Sequence, residues 1–293
     1  MSSSADFACS GGCGAIPVNG SPAILSTVVQ NGSSIQLQGT SNVLLAPNTA
    51  YLAEYNAQFS TPTVGFVLSS QLTLNGTLIP GSQTLSFPST IPPGLNAPVS
   101  SVSGGVVFNT PSSPNPSVLL LNGFPPSGVS GANFSSVNLR IVELGPANDG
   151  TSVTGNNAGI YGYGYVDVGF DEPLPFLEAE TVNGTGITFS PSSPTIITLL
   201  PNATYFASYN FIACPLVVGS AVRVILSLNN NFLEQSLSLA PALTDLTTVF
   251  TSAAGSAVFN TGSDPGQVLE LINNTNVTTT KFVSANINIM QIG

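Results

Sequence analysis

The chain carries three cysteines, and two of them open it in the stretch "ACSGGC", Cys9 and Cys13, set among serines and glycines. Such a pair can bind a metal, cycle as a redox couple, stay as two inert thiols, or tie one chain to another. Zinc asks for four ligands of Cys, His or carboxylate type. With no histidine and only Cys214 remaining, one chain cannot complete such a set from nitrogen and sulfur. The three-residue spacer also lacks the two-residue spacing of thioredoxin-like redox motifs. Gly/Ser flanks let both sulfurs reach disulfide geometry against another subunit, and the arm has no core of its own to join. Among the open alternatives, the favoured reading is an intermolecular cross-link through Cys9 and Cys13. Cys214, in "FIACPLVV" beside Pro215, reads as a buried small apolar side chain. Its alternative is a partner for an arm cysteine from another chain.

Two further groups could do chemistry. Carboxylates gather at Asp167, Asp171, Glu172, Glu178 and Glu180. A glycosidase would need two of them at a defined separation. A calcium site would draw on Asp167, Asp171 and Glu172 together with carbonyl oxygens, although no EF-hand spacing is present. A solvated acidic loop is the plain reading. In "GIYGYGYVDVGF", alternation puts Tyr161, Tyr163 and Tyr165 on one strand face and glycines on the other. Tyrosine suits a subunit or interdomain contact, or a stacked sugar, and a glycine face lets another backbone approach closely. The sequons at Asn31, Asn75, Asn202 and Asn276 are what an Asn- and Ser/Thr-rich chain produces by chance.

Composition excludes several functions. Of 293 residues only 5% are charged, with 3 Lys+Arg against 13 Asp+Glu and a formal net charge of -10; an average soluble domain is about 25% charged. Arg140, Arg223 and Lys281 are the whole cation supply, too few to neutralise nucleic-acid phosphates. The absence of histidine removes Ser-His-Asp and Cys-His catalysis. No apolar run approaches the roughly 18 residues of a membrane-spanning helix. The N-terminus has neither a basic nor an apolar leader region, so it is not read as a signal peptide: either a leader has been removed and replaced by Met1, or the protein reaches its destination without secretion. A neutral surface rich in hydroxyls and amides suits packing against copies of itself. No cofactor and no enzymatic activity are expected.

The sequence repeats itself. "LLAPNTAYLAEYN" (Leu44–Asn56) returns as "TLLPNATYFASYN" (Thr198–Asn210), "SVSGGVVFNT" as "SAAGSAVFNT", and "NFSSVNLRIVELG" as "KFVSANINIMQIG". The period is domain-sized, far beyond the roughly 20–50 residues of a solenoid repeat. Each repeat consists of short alternating or apolar runs between turn clusters, for example "AVRVILSL" and "NINIMQI". That pattern predicts antiparallel strands in a sandwich or jelly roll. The expected organisation is a flexible cysteine-bearing connector arm at 1–14, one jelly roll at 15–146, a linker at 147–157 and a second jelly roll at 158–293. The fold class is therefore all-β, with two tandem antiparallel jelly-roll β-sandwiches.

The block L-x-P-N-T/A-x-Y-x-x-x-Y-N, followed by "LNGTLIPGSQ" and a closing "NLRIVEL" strand, resembles the C-terminal domain of collagen-like exosporium glycoproteins of spore-forming bacteria. Those domains are tumour-necrosis-factor-like jelly rolls that form trimers. Here no Gly-X-Y stalk is present, and two domains share one polypeptide. The arm is similar in layout to the N-terminal connector of endospore appendage subunits, with Cys9 and Cys13 at the matching positions. The resemblance implies a structural, self-assembling protein of the cell or spore surface that forms a filament or trimer, with other surface proteins as further partners. A trimeric adhesin or carbohydrate-binding head is the alternative.

Overall fold

The computed structural model describes residues 3–17, 20–61, 68–86, 99–124, 132–147, 156–217, 220–240, 251–277 and 279–293. Among these there is no α-helix, and one 3₁₀ turn at Glu234–Ser236. The first repeat supplies β1 (Ser4–Ser10), β2 (Ser26–Asn31), β3 (Asn42–Leu45), β4 (Thr49–Ser60), β5 (Leu68–Leu74), β6 (Thr84–Ser86), β7 (Val99–Asn109), β8 (Ser117–Phe124) and β9 (Ala132–Pro146). The second supplies their counterparts in the same order: β10 (Asn157–Gly169), β11 (Glu178–Asn183), β12 (Ile197–Leu199), β13 (Thr204–Pro215), β14 (Val222–Leu228), β15 (Ser238–Ala240), β16 (Thr251–Asn260), β17 (Gln267–Asn273) and β18 (Thr279–Gln291). Short two- to four-residue pieces extend the edges.

All pairings among the described residues are antiparallel. In the first repeat one sheet runs β7-β4-β9-β1-β2 and the facing sheet β6-β5-β8-β3. The second repeat runs β16-β13-β18-β10-β11 against β15-β14-β17-β12. From β3 onward the chain crosses between sheets at almost every step, which is jelly-roll wiring. Strand alternation fills each sandwich. On β4 the side chains of Tyr51, Ala53, Tyr55, Ala57 and Phe59 enter the first core, while Leu52, Glu54, Asn56 and Gln58 face outward. Tyr205, Ala207, Tyr209, Phe211 and Ala213 do the same for the second core on β13.

The repeated tyrosine block has a mechanical reason. Asn48 and Asn202 hold φ of 50° and 52°, the left-handed turn that asparagine tolerates better than most residues and that starts β4 and β13. Three residues on, Tyr51 Oη donates to the Ser34 carbonyl (3.1 Å) and Tyr205 Oη to that of Gly186 (2.8 Å). A further turn of the alternation places Tyr55 Oη at 2.7 Å from the Ser82 carbonyl and Tyr209 Oη at 2.6 Å from the Ser236 carbonyl. Burial pushes the Tyr55 phenol up to about 12. Each phenol thus ties one sheet to the loop beneath the other while its ring stays in the core. The sequons at Asn75 and Asn202 fall on left-handed turn positions, where the residue is fixed by backbone geometry.

The structure corrects the expected free arm. Residues 4–10 form β1, paired along its whole length with β9 (Ser4↔Val142 through Ser10↔Ser136) and on its other side with β2. Ala5 and Phe7 are buried in the first core. The counterpart β10 pairs with β18 in the same way, with Ala158 and Ile160 in the second core. The opening residues are therefore the first strand of the first jelly roll. The sequence hid this because Ala5 and Phe7 alone carry the inward alternation of "SADFACS", beside Asp6, Ala8 and Cys9.

β1 is also closed by charge. Burial works against ionisation of Glu143, but the Ser34 hydroxyl and the Ser3 amide (2.9 Å) outweigh it and hold the carboxyl below its ordinary value. The second repeat has Gln291 at this place, bonded to Asn156. A carboxylate stabilised in the fold contributes above its unfolded pKa and is lost as pH falls through its depressed folded pKa. Glu143→Gln should flatten the loss of stability below about pH 4.5, read as denaturant midpoint against pH. At pH 7, Tyr209→Phe should cost about 1–3 kcal/mol, because it strands buried carbonyls. A neutral result in urea unfolding would remove the phenol from the framework.

Candidate functional site

Cys9 and Cys13 are bonded to each other within the chain, with Cα atoms 5.6 Å apart. This corrects the intermolecular cross-link. β1 ends at Ser10, and Gly11 and Gly12 (φ +76° and +110°) turn the chain so that Cys13 returns into the first core beside Cys9. The same glycines that read as a loose flank are the turn that brings the sulfurs together. Cys214 is a buried thiol, its pKa pushed up by burial and partly offset by Lys281.

The acidic residues disperse. Asp167 pairs with Lys281 at 3.3 Å on an exposed surface, and the Glu172 carboxylate accepts the Gly169 amide at 2.8 Å. Asp171 occupies a left-handed turn with φ of 65°. Glu178 accepts the Tyr161 hydroxyl at 2.6 Å, and burial plus neighbouring Glu178 pushes the Glu180 carboxyl up. Among the described residues no group of three or more His, Cys, Asp and Glu converges on one point. Asp167, Asp171 and Glu172 therefore do not form the calcium cage considered from sequence. The tyrosine stripe is broken as well. A bulge between Tyr163 and Val166, centred on Gly164 (φ +116°), interrupts the alternation. Tyr161 is buried and Tyr165 is 69% exposed; the side chain of Tyr163 lies outside the described part.

The structure does assemble a contact between the repeats. Strand β7, the edge of the first repeat, lies across the outer face of the β16-β13-β18-β10-β11 sheet and touches every strand in it. An edge strand presents unpaired backbone groups, and here two asparagine amides meet them. Val107 N–H donates to Asn288 Oδ1 (2.7 Å), and the Gly105 carbonyl accepts from Asn286 Nδ2 (2.6 Å) and Asn288 Nδ2 (3.0 Å). Asn109 and Asn183 exchange amide bonds at 3.0 Å each way, and Ser252 donates to the Leu85 carbonyl at 2.7 Å. An apolar patch of Ala50, Leu52, Val107 and Leu144, packed on Phe206 and Met290, seals the contact. A Cβ at Gly159 would collide with the Val107 carbonyl, so glycine is required for the close approach.

The contact is heterologous: the edge of one repeat meets the face of the other. Its counterpart surfaces differ. Where the second repeat offers Asn286 and Asn288, the first has Asn138, which donates to Asp6 at 2.7 Å, and Arg140, 3.8 Å from Asp6. Two hollows flank the seam. One, of about 180 Å³, is lined by matching segments of both repeats, including Tyr55 and Asn56 against Tyr209 and Asn210. The other, of about 380 Å³, lies between the Leu78–Gln83 turn segment and β10, β13 and β18. Sequence reasoning missed Asn286 and Asn288. The available signal was the strict alternation of "NINI", which puts both amides on the face away from the core.

No protein-family profile and no curated protein matches the chain. Among solved structures, it is similar to the Eiger TNF of S. frugiperda at 12% identity, over 47% of this chain and 92% of that one, with a TM-score of 0.38. It is also similar to murine APRIL at 15% identity (49% and 99%, TM-score 0.32) and to the PRD1 vertex protein P5 at 14% (48% and 99%, TM-score 0.33). Each match spans about half of this chain, the length of one repeat.

The seam predicts coupled unfolding. Asn288→Leu takes away the partner of the Val107 amide and leaves the Gly105 carbonyl with Asn286 alone, a cost of about 1–3 kcal/mol. Scanning calorimetry should show one transition in the wild type and two in the variant. A single unshifted transition would mean the amides hold nothing together.

Proposed function

We propose that the chain is a structural, self-assembling subunit of a cell or spore surface, and that it works by docking jelly-roll edges onto jelly-roll faces. The observation that carries this reading is the fate of one repeated residue. Val107, in the "VFNT" of β7, is buried against the second repeat, whereas its counterpart Val258, in the "VFNT" of β16, is 55% exposed. The second repeat thus keeps the Val258 end of its edge strand exposed, and the first keeps Asn56, Gln58 and Arg140 exposed on its outer face, beside the Leu52 and Leu144 that the seam covers. Joined head to tail between chains, an edge on an outer face makes a heterologous contact like the internal one, with Asp6 and Arg140 in place of Gly159 and Asn288, and a contact of this kind builds rings or filaments. The internal disulfide fits an oxidising, extracellular setting. The exosporium-like sequence block and the scarcity of charge support a surface role, and no helix of the described residues is long and apolar enough to cross a membrane.

The test is light scattering across a concentration series, with negative-stain electron microscopy, on the wild type and Val258→Asp. Wild-type chains should form rings or filaments that persist in reductant, since the disulfide is internal. Val258→Asp should stay monomeric with its stability changed by less than about 0.5 kcal/mol. Wild-type protein that is monomeric throughout, or a variant that assembles equally, would overturn the reading.

A further inference from the structure

The larger hollow at the seam has the character of a ligand site. Its volume of about 380 Å³ falls within the range of roughly 300–1,000 Å³ seen for small-molecule pockets, which favour domain boundaries. Leu78, Pro80 and Ala285 give it apolar walls, and Gln83, Asn210 and Ser284 give it amide and hydroxyl groups. None of the three cations of the chain lines it, so an anion would find no countercharge. The nearby carboxylate of Glu178 is engaged by the Tyr161 hydroxyl, so a cation would meet no free acid in the wall.

Asn210 makes the hollow more than a gap. It is 3% exposed, and among the described residues its Nδ2 has no hydrogen-bond partner. A buried donor left unsatisfied costs about 1–3 kcal/mol, and buried polar groups in native proteins ordinarily have a partner in the protein or in ordered water. The wall therefore suits something uncharged that exchanges hydrogen bonds with Gln83 and Ser284, reaches Asn210 Nδ2 once that side chain turns out of its buried position, and lays a C–H surface on Leu78 and Pro80.

We propose that this groove binds a neutral sugar ring, such as the terminal unit of a glycan. The ring hydroxyls meet Asn210, Gln83 and Ser284, and one apolar ring face rests on Leu78 and Pro80. The site depends on the seam within one chain and is independent of assembly between chains.

The experiment uses the full chain carrying Val258→Asp, so that assembly cannot mask or mimic binding. Saturation-transfer NMR and calorimetric titration are run with methyl glycosides of glucose, galactose, mannose and N-acetylglucosamine, and with sialic acid as the charged control. At least one neutral glycoside should bind saturably. Asn210→Leu should weaken it about tenfold, the loss of one hydrogen bond. Ser284→Phe, which fills the groove, should abolish it, and Gln83→Ala, on an exposed residue that leaves the fold intact, should weaken it. Absence of saturable binding by every neutral glycoside, binding of sialic acid alone, or binding unchanged in both Ser284→Phe and Gln83→Ala would overturn the proposal.

Discussion

The whole arrangement rests on how one edge strand satisfies its backbone. A strand at the border of a sheet leaves amides and carbonyls turned outward, and these must find partners once they are buried. On β7 the Val107 amide and the Gly105 carbonyl find them in Asn288 and Asn286. A side-chain amide can donate and accept at once, so two asparagines replace the rungs of a missing strand. Gly159 removes the Cβ that would hold the backbones apart. The apolar patch around Val107, Phe206 and Met290 then excludes water from these bonds.

The same constraint explains why two similar repeats do different work. Their cores carry matching phenols, matching turn asparagines and matching strands. Their outer faces have diverged. The second repeat carries amides and glycine where β7 lies, whereas the first carries Asp6 and Arg140 there. Divergence on the outside with constancy within shows which surface of the jelly roll is engaged inside the chain and which faces outward.

Much of the fold was legible because its strongest signals are local. Pro-Asn turns, tyrosines four apart and alternating strands each report on backbone geometry within a dozen residues, and the duplication doubled every one of them. The site was less legible because it depends on pairs distant in sequence. Asp167 and Glu172 look like neighbours in a line of text, but strand direction and a turn send them to Lys281 and Gly169. One bulge at Gly164 was enough to separate Tyr161 from Tyr165. Gly11 and Gly12 suggested slackness, and only the pairing of β1 with β9 shows that they form a tight return. Asn286 and Asn288 carried no conspicuous chemistry, since their role appears only when another strand is laid over them.

The seam between the repeats contains no ionic contact among the described residues: it is made of amides, hydroxyls, backbone and aliphatic carbon. Counter-ions therefore have nothing there to screen, and within a Debye length of about 8 Å at physiological ionic strength the seam presents no pair whose attraction salt could weaken. Nor does any group in those bonds titrate between mild acid and mild base. A joint built this way keeps its strength from fresh water to brine, because it was made from dipoles rather than charges.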